Sequence, residues 1–271
     1  MQARANLLKR VRAFFDERGV MEVETPVLSA HAPSDPRLSS LCVQVRLPGS
    51  GTANLHPMFL QPSPESAMKR LLAAGSGPIF QVTKAFRDAE AGRYHNPEFT
   101  MLEWYRPGFE MPALIDEVTA LIQQCTGLGE PQHLRYREAL LEHGGIDPFD
   151  SPLAELRTVC ERRTAIGEAV ASLDRHECLD LLLSECVQPA LGPGLAVITG
   201  FPASQAAMAQ LDRDSPGTAL RFEMYGRGLE LANGYQELTD ARELRARMLS
   251  DNEDRVELGH APVAFEQRDL E

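Results

Sequence analysis

The chain has 271 residues and a formal net charge of −12, and 43% of its residues are apolar, which is enough for a sizeable core. The acidic balance argues against broad nucleic-acid binding, which needs a basic surface, but it leaves room for a local basic pocket that holds a small anion. Five cysteines without a CxxC pair favour reduced thiols over a disulfide framework or a zinc site, and no apolar run approaches the roughly 20 residues of a membrane span. These features predict a soluble, cytoplasmic protein with no membrane partner.

Hydrophobic periodicity divides the first half of the chain into helices and strands. Apolar residues recur at helical spacing over residues 5–18, and Gly19 ends that helix. Ser63 and Pro64 open a second helix, which Gly75 stops. Strands are predicted in VMEVETPVL, which Pro26 stops, and in LCVQVRL, MFLQ, PIFQVTKAFR and EFTMLEWYR, with a long hairpin loop over Asp88–Pro97 before the last of them.

The second half begins with helices and returns to strands. Helices are predicted at about 111–126, 152–170 and 174–187, and the last two form a helical insertion at about 150–190. Strands follow in LAVITGF and in TALRFEMYGRGLELANGY, and a charged helix follows at about 239–252. Because helices and strands come in blocks, with hairpins between neighbouring strands, the pattern predicts a single α+β domain over residues 1–271, with an antiparallel sheet flanked by helices.

The strand from Phe99 to Arg106 carries polar groups among apolar residues. Glu103 and Tyr105 share one of its faces, because alternate side chains of a strand point the same way. A carboxylate and a phenol that are buried there need hydrogen-bond partners. An edge strand with solvated charges explains the pattern equally well, so periodicity alone leaves both interpretations open.

Arg87 stands where the hairpin loop begins, and Arg93 and His95 lie in the same loop. A guanidinium at this point could hold a phosphate by a two-pronged contact, while the alternative is a set of plain loop cations. The Gly-rich nucleotide-binding loops GxxxxGK[ST] and GxGxxG are both absent from the sequence.

Three further carboxylates are candidates for binding a cation. Glu230 and Glu237 would lie on opposite faces of a regular strand, but a bulge at Gly234 would let both face one pocket for a divalent metal or an ammonium group. A hairpin with exposed acids is the alternative. Glu65 falls in the first turn of a helix, where a carboxylate is also explained by the helix dipole.

Taken together, three segments resemble motifs of the class II aminoacyl-tRNA synthetases. RGVMEVETPVL resembles their first motif, a strand that ends in proline at the dimer interface. FRDAEAGRYHNPEFTMLEWY resembles the second motif in its lysyl form, and ELANGYQELTD resembles the lysine-pocket segment. The resemblance extends over about residues 5–260 and includes the highly specific run HNPEFTMLE.

Within that family the chain is similar to a stand-alone paralogue of the lysyl enzymes. The sequence begins almost directly at the first motif, so no N-terminal anticodon-binding domain is expected, and it contains GRYHNPEFTMLEWYRPG and FPASQAAMAQL. The resemblance implies that ATP and (R)-β-lysine form an adenylate and that the acyl group passes to a lysine side chain of elongation factor P, without tRNA. It also implies Mg²⁺ as a cofactor and a homodimer. Catalysis would rest on positioning and electrostatics, since cations must neutralise the charge that develops at the α-phosphate.

Residue by residue, the resemblance assigns an ATP site and an amine site. Arg87 is the catalytic residue at the α-phosphate, and Glu230 also faces the metal ion. Ser63 and Glu65 match positions that meet the amine near the substrate carboxyl group, and Tyr105 and Glu237 match those that hold the distal ammonium group, which needs a counter-charge once it is desolvated. The complete ATP set is Arg87, Asp88, Ala89, Asn96, Glu230 and Leu231.

Two departures from the family pattern bear on activity. The usual second motif reads F-R-x-E, whereas here the fourth position is Ala89 and the carboxylate follows at Glu90. No segment up to Glu271 resembles the third motif, which supplies an arginine for the γ-phosphate, so we expect a chain that is truncated, divergent or continued beyond this point. A truncated lysyl-tRNA synthetase that activates α-lysine, and a non-catalytic paralogue that only binds a lysine-like ligand, are the alternatives.

Overall fold

The computed structural model describes residues 1–46, 55–88 and 90–264. Its α-helices within these ranges are α1 (Gln2–Asp16), α2 (Glu65–Ala73), α3 (Met111–Thr126), α4 (Tyr136–Ala139), α5 (Leu153–Arg163), α6 (Arg175–Leu182), α7 (Gln188–Ala190) and α8 (Ala241–Glu257). The strands are β1 (Met21–Glu22), β2 (Leu28–Ser29), β3 (Cys42–Val45), β4 (His56–Leu60), β5 (Ile79–Phe86), β6 (Glu98–Tyr105), β7 (Gln132–Arg135), β8 (Leu195–Pro202), β9 (Thr218–Gly226) and β10 (Leu229–Tyr235).

The chain divides into two compact units. The first comprises Met1–Gly108 together with the chain from Asp240 onwards, and the second comprises Phe109–Thr239. The expectation of a single domain over residues 1–271 stays a prediction. No helix in the part of the chain that the structure describes combines the length and the apolar content that a membrane crossing requires.

The first unit contains two three-stranded sheets. In one sheet, β1 is parallel to β5, and β5 is antiparallel to β6. In the β5–β6 pair, Ile79 lies opposite Tyr105 and Phe80 lies opposite Trp104. In the other, β4 lies between β2 and β3 and is antiparallel to both. Helix α1 packs against the first sheet through the buried Phe15, whose ring stacks on Phe80 with centroids 4.5 Å apart.

A short connector joins the two sheets of this unit, and the strand predicted in VMEVETPVL ends before its expected stop at Pro26. Strand β1 ends at Glu22 and β2 begins at Leu28, each in a different sheet. The N–H of Val23 still donates to the carbonyl of Phe80 on β5 at 2.8 Å, and the carbonyl of Val27 accepts from the N–H of Gln61 at 3.0 Å. Pro26 lies between these two contacts, where the absence of an N–H prevents a continuous ladder.

The second unit is built on a four-stranded sheet in the order β10-β9-β8-β7. Strands β8, β9 and β10 are antiparallel to their neighbours, and β7 joins β8 in parallel. The predicted helical insertion packs its apolar side chains against β8 and β9 and so belongs to the core of the unit. The buried residues of this core include Tyr136, Leu140, Leu156, Leu179, Leu182, Val187, Ile198, Phe201 and Tyr225.

The observed elements confirm the α+β class, with antiparallel strand pairs flanked by helices, and add the two parallel pairs that were not predicted. The helix expected over residues 152–170 ends at Arg163, because Thr164 is extended and Gly167 has a φ of +64°. The helix expected over residues 174–187 begins at Arg175, where Asp174 and Glu177 form a capping box, and it widens into a π-turn over Leu183–Val187.

Candidate functional site

A cluster of polar side chains in the first unit is centred on Glu103. We call it the carboxylate cluster and define it as Ser63, Glu65, Lys69, Glu103 and Tyr105. The Ser63 hydroxyl donates to Glu103 Oε2 at 2.6 Å, and the Tyr105 hydroxyl donates to Glu103 Oε1 at 2.8 Å. The expectation that Glu103 and Tyr105 share a face and need partners is therefore confirmed. Strand β6 is an edge of its sheet, as the alternative interpretation had it, but Glu103 is held by hydrogen bonds rather than left to solvent.

The start of α2 supplies the other half of the cluster. The N–H of Glu65 donates to the Ser63 hydroxyl at 3.0 Å, so Ser63 closes the turn that leads into the helix. The N-cap position itself falls on Pro64, one residue later than predicted. One turn along the helix, Lys69 Nζ lies 2.6 Å from Glu65 Oε1, the favourable order for an ion pair at this spacing. Ser63 and Tyr105 thus meet at Glu103, and Glu65 follows Ser63 at the start of α2. The roles that the resemblance assigns to these residues stay predictions.

Burial gives Glu103 an unusual protonation behaviour. Removal from water raises the pKa of Glu103 to about 7, and the negative charge of Glu65 adds to the rise. The hydrogen bonds from Ser63 and Tyr105 and the positive charge of Lys69 act in the opposite direction. Two carboxylates that destabilise each other in this way form a place where a bound cation gains free energy. Glu103 was not among the predicted site residues, although its position two residues before Tyr105 was the signal that could have identified it.

Arg87 stands directly beside the carboxylate cluster. Its Nε donates to the carbonyl of Pro62 at 3.3 Å, and Pro62 immediately precedes Ser63. The guanidinium also lies 5.2 Å from the ring centroid of Phe99, and its Nη1 is 3.7 Å from Glu90 Oε1. The displaced acid of the second motif therefore faces Arg87. A pocket of ≈ 320 Å³ opens here, lined by Arg87, Glu90, Ala91, Gly92 and His95.

The loop after Arg87 is organised by backbone hydrogen bonds. The N–H of Arg87 donates to Pro97 at 3.0 Å, and the N–H of Asp88 donates to the carbonyl of Ser39 at 2.8 Å. Asp88 and Asn96 are exposed in this loop, and neither is among the five residues that line the pocket. Ala89, the remaining loop residue of the predicted ATP set, lies outside the described residues.

Strand β10 of the second unit carries Glu230 and Leu231, both exposed. A bulge interrupts its pairing with β9, but it falls between Glu230 and Ala232 rather than at Gly234, so the predicted position is wrong. Glycine at position 234 is explained by packing rather than by a bulge. A Cβ at this position would lie 2.6 Å from the buried ring of Phe222. The strand needs glycine there because its backbone passes directly over an aromatic ring.

The observed bulge resets the alternation of side chains along β10. After it, Asn233 lies opposite Glu223 and Tyr235 lies opposite Arg221, on the face that Glu230 shares with its own partner Tyr225. Glu237 follows the end of β10, so the expectation that it faces one pocket with Glu230 stays a prediction. The main chain of Glu237 is fixed by a bridge to Ala209 and by a hydrogen bond from Gln210 Nε2 to its carbonyl at 2.8 Å.

A buried acid accompanies Glu230 and was missed in the sequence. Glu223 is 5% exposed and accepts hydrogen bonds from Arg221 and from the Tyr225 hydroxyl. Burial, followed by the charges of Glu223 and Glu230, raises the pKa of Tyr225. Within residues 1–46, 55–88 and 90–264, no three His, Cys, Asp or Glu side chains converge on a metal position. Mg²⁺ bound largely by phosphate oxygens and water needs only one or two carboxylates, so Glu230 fits such an ion.

The sequence is similar to those of known proteins of one family. The sequence matches the family model described as tRNA synthetases class II (D, K and N) over residues 1–266. A relative from Sodalis glossinidius (strain morsitans) is 46% identical over 269 residues, which cover 96% of this chain and 82% of the relative. Relatives from Yersinia pestis (strain Pestoides F) and Yersinia pseudotuberculosis serotype O:1b (strain IP 31758) are each 45% identical over 262 residues, which cover 94% of this chain and 80% of each relative. All three relatives are named elongation factor P–(R)-beta-lysine ligase.

Proposed function

The chain belongs to the class II tRNA synthetases of the D, K and N group, and from this premise we propose that it activates (R)-β-lysine with ATP and transfers it to a lysine side chain of elongation factor P. The names of the relatives support the substrate and the acceptor. The same proposal includes a homodimer, a cytoplasmic location and no use of tRNA.

One observation carries the proposal: the carboxylate cluster and the Arg87 guanidinium are adjacent in the first unit. The carboxylate cluster offers negative charge to an amine, and Arg87, anchored on the carbonyl of Pro62, offers positive charge beside it. An amino acid with an extra amine, bound next to the phosphates of a nucleotide, needs this pairing of opposite charges. Ordinary surface ion pairs would not require the hydrogen-bonded, desolvated Glu103 at their centre.

The residues of the first unit have distinct roles in the activation step. Glu65 receives the ammonium group near the substrate carboxyl group, with Ser63 holding the start of α2 in place. Glu103 and Tyr105 receive the distal ammonium group. Arg87 contacts the α-phosphate, where its charge stabilises the extra negative charge as the substrate carboxylate attacks. No residue of the cluster abstracts a proton from the substrate, because the attacking group is already an anion.

The roles in the second unit rest on the resemblance together with the register of β10. Glu230 and the backbone of Leu231 face ATP, and Glu230 would hold Mg²⁺, which would neutralise phosphate charge. Glu237 receives the distal ammonium group of the substrate. Among the loop residues, Asp88, Ala89 and Asn96 stay candidates for ATP contacts. In the second step the ε-amine of the acceptor lysine attacks the adenylate, and AMP leaves.

Exchange of radioactive pyrophosphate into ATP tests the activation step. We expect exchange that (R)-β-lysine stimulates more strongly than α-lysine does, and that is lost in Arg87→Ala, because no other described side chain in the pocket offers a guanidinium. Transfer is followed by mass spectrometry of elongation factor P. Equal or stronger stimulation by α-lysine, together with charging of tRNA, would favour a lysyl-tRNA synthetase instead. Calorimetric binding of the amine without any exchange would favour a protein that only binds the ligand.

A further inference from the structure

An ammonium group already occupies part of the carboxylate cluster. Lys69 Nζ lies 2.6 Å from Glu65 Oε1, and the two side chains are only 32% and 30% exposed. Glu65 is the carboxylate to which the proposed function assigns the amine near the substrate carboxyl group. That carboxylate is therefore paired with a cation that the protein supplies itself.

The charge of Lys69 reaches beyond its direct partner. It opposes the rise in the pKa of Glu103, which the charge of Glu65 promotes. Lys69 thus moderates the repulsion between the two carboxylates that form the cluster. A ligand ammonium that arrives at Glu65 meets a carboxylate whose charge is already balanced, so its binding exchanges one ion pair for another.

We propose that Lys69 is an internal competitor for the substrate ammonium group at Glu65, and so a residue that sets the affinity of the amine site; this inference rests on the proposed function. Before the substrate binds, the ammonium group of Lys69 balances the negative charge of Glu65. When the substrate binds, its ammonium group displaces Lys69 Nζ, whose flexible four-carbon stem lets it swing into solvent. The affinity of the protein for the substrate is then lower than it would be without the Lys69–Glu65 ion pair.

Removal of the positive charge of Lys69 should increase the affinity of the protein for (R)-β-lysine. Lys69→Met should lower the Kd for (R)-β-lysine by about two- to fivefold, the size expected for a partly exposed ion pair. A ligand with only the distal amine, 6-aminohexanoate, does not need Glu65, so its Kd should change by less. A merely structural role for Lys69 would weaken the binding of both ligands.

Calorimetry of the full chain, at a pH at least one unit above the pKa of Glu103, measures both constants. Arg70→Met is the matched control, because it removes the same charge from the next, exposed position of α2. Lys69→Arg keeps a cation beside Glu65 and should show no gain. Thermal unfolding of each variant verifies that it is folded.

The outcomes separate the two proposals. If (R)-β-lysine binds to the unaltered chain but binds no more tightly to Lys69→Met, the competitor role is refuted while the proposed function stands. A similar gain in Arg70→Met also refutes it, since that gain would come from net charge alone. If the unaltered chain binds neither ligand, the proposed amine site itself is wrong.

Discussion

At the scale of single residues, Glu103 decides how the amine site responds to pH. An ammonium ligand is stabilised by the ionised carboxylate, and the pKa of Glu103 in the free protein is raised to about 7. Below that pH, binding requires the release of a proton from Glu103. The affinity for (R)-β-lysine should therefore rise with pH through neutrality.

We expect the Kd for (R)-β-lysine to fall by about tenfold between about pH 6 and pH 8, as the ionised fraction of Glu103 grows. Calorimetry at several pH values measures this change. In Glu103→Gln the Kd should be higher throughout and nearly independent of pH in this window. A variant that keeps the full pH dependence of the unaltered chain would show that another group titrates.

The same carboxylate should lower the stability of the fold at alkaline pH. The pKa of Glu103 in the folded chain lies above the unfolded value of 4.5, so the stabilisation it gives is complete below that value and is lost as the pH rises to about 7. Urea unfolding at pH 5 and pH 8 should show a free energy of unfolding that falls by roughly 1–3 kcal/mol more for the unaltered chain than for Glu103→Gln. Parallel curves for the two proteins would contradict the burial argument.

At the scale of elements, strand β10 depends on the absence of a side chain at Gly234. A methyl group there would lie 2.6 Å from the Phe222 ring, which is fully buried and cannot move aside freely. Gly234→Ala should destabilise the second unit by about 1–3 kcal/mol in chemical denaturation, as overpacking does elsewhere. Gly129→Ala is the control, because nothing lies within 4 Å of its added Cβ and its φ is not positive. It should change stability by less than about 0.5 kcal/mol.

The elements that the sequence predicted well are those whose signals are local. Helix α3 has the predicted bounds, because its apolar face is long and regular and Gly127 ends it in a left-handed conformation. Strand β7 was missed, since QHLR has a single apolar residue and is defined only by its pairing with β8. The division of VMEVETPVL between two sheets was missed for the same reason, because alternation does not reveal which sheet a strand joins.

In the candidate site, too, local patterns were predicted from the sequence and contacts between distant segments were not. The shared face of Glu103 and Tyr105 followed from alternation on one strand, but the contact of Glu103 with Ser63 spans 40 residues of sequence. The raised pKa of Glu103 depends on burial and on contacts between β6 and the start of α2, which are distant in sequence. The ion pair of Lys69 with Glu65 is local, at the i,i+4 spacing of one helix, but it was not among the predictions. The motifs therefore supplied candidate residues, but they identified neither Glu103 as the centre of the cluster nor its electrostatic state.

At the scale of the whole molecule, the cysteines report on the two units separately. Cys42 in the first unit is exposed, whereas Cys160 and Cys178 in the second unit are buried, and burial raises the pKa of both thiols. A thiol reagent such as DTNB should react rapidly with Cys42 in the native protein. Cys160 and Cys178 should react only as the second unit unfolds.

Mass mapping of the modified peptides measures this order, and full denaturation should expose all five thiols that the sequence contains. Comparable rates for Cys42 and Cys160 under native conditions would mean that the second unit opens easily. The protein would then need an even more reducing environment than its composition suggests.

The connector between β1 and β2 should have a fixed length among related sequences. Its two ends are hydrogen-bonded into different sheets, and Thr25 near its middle donates to the buried Gln81 of β5 at 2.9 Å. Exposed positions such as Glu24 have room for other side chains. Insertion or deletion of one residue would shift one of the two strands by a register step and turn its side chains to the opposite face. Natural variation in this segment should therefore replace residues while leaving their number unchanged.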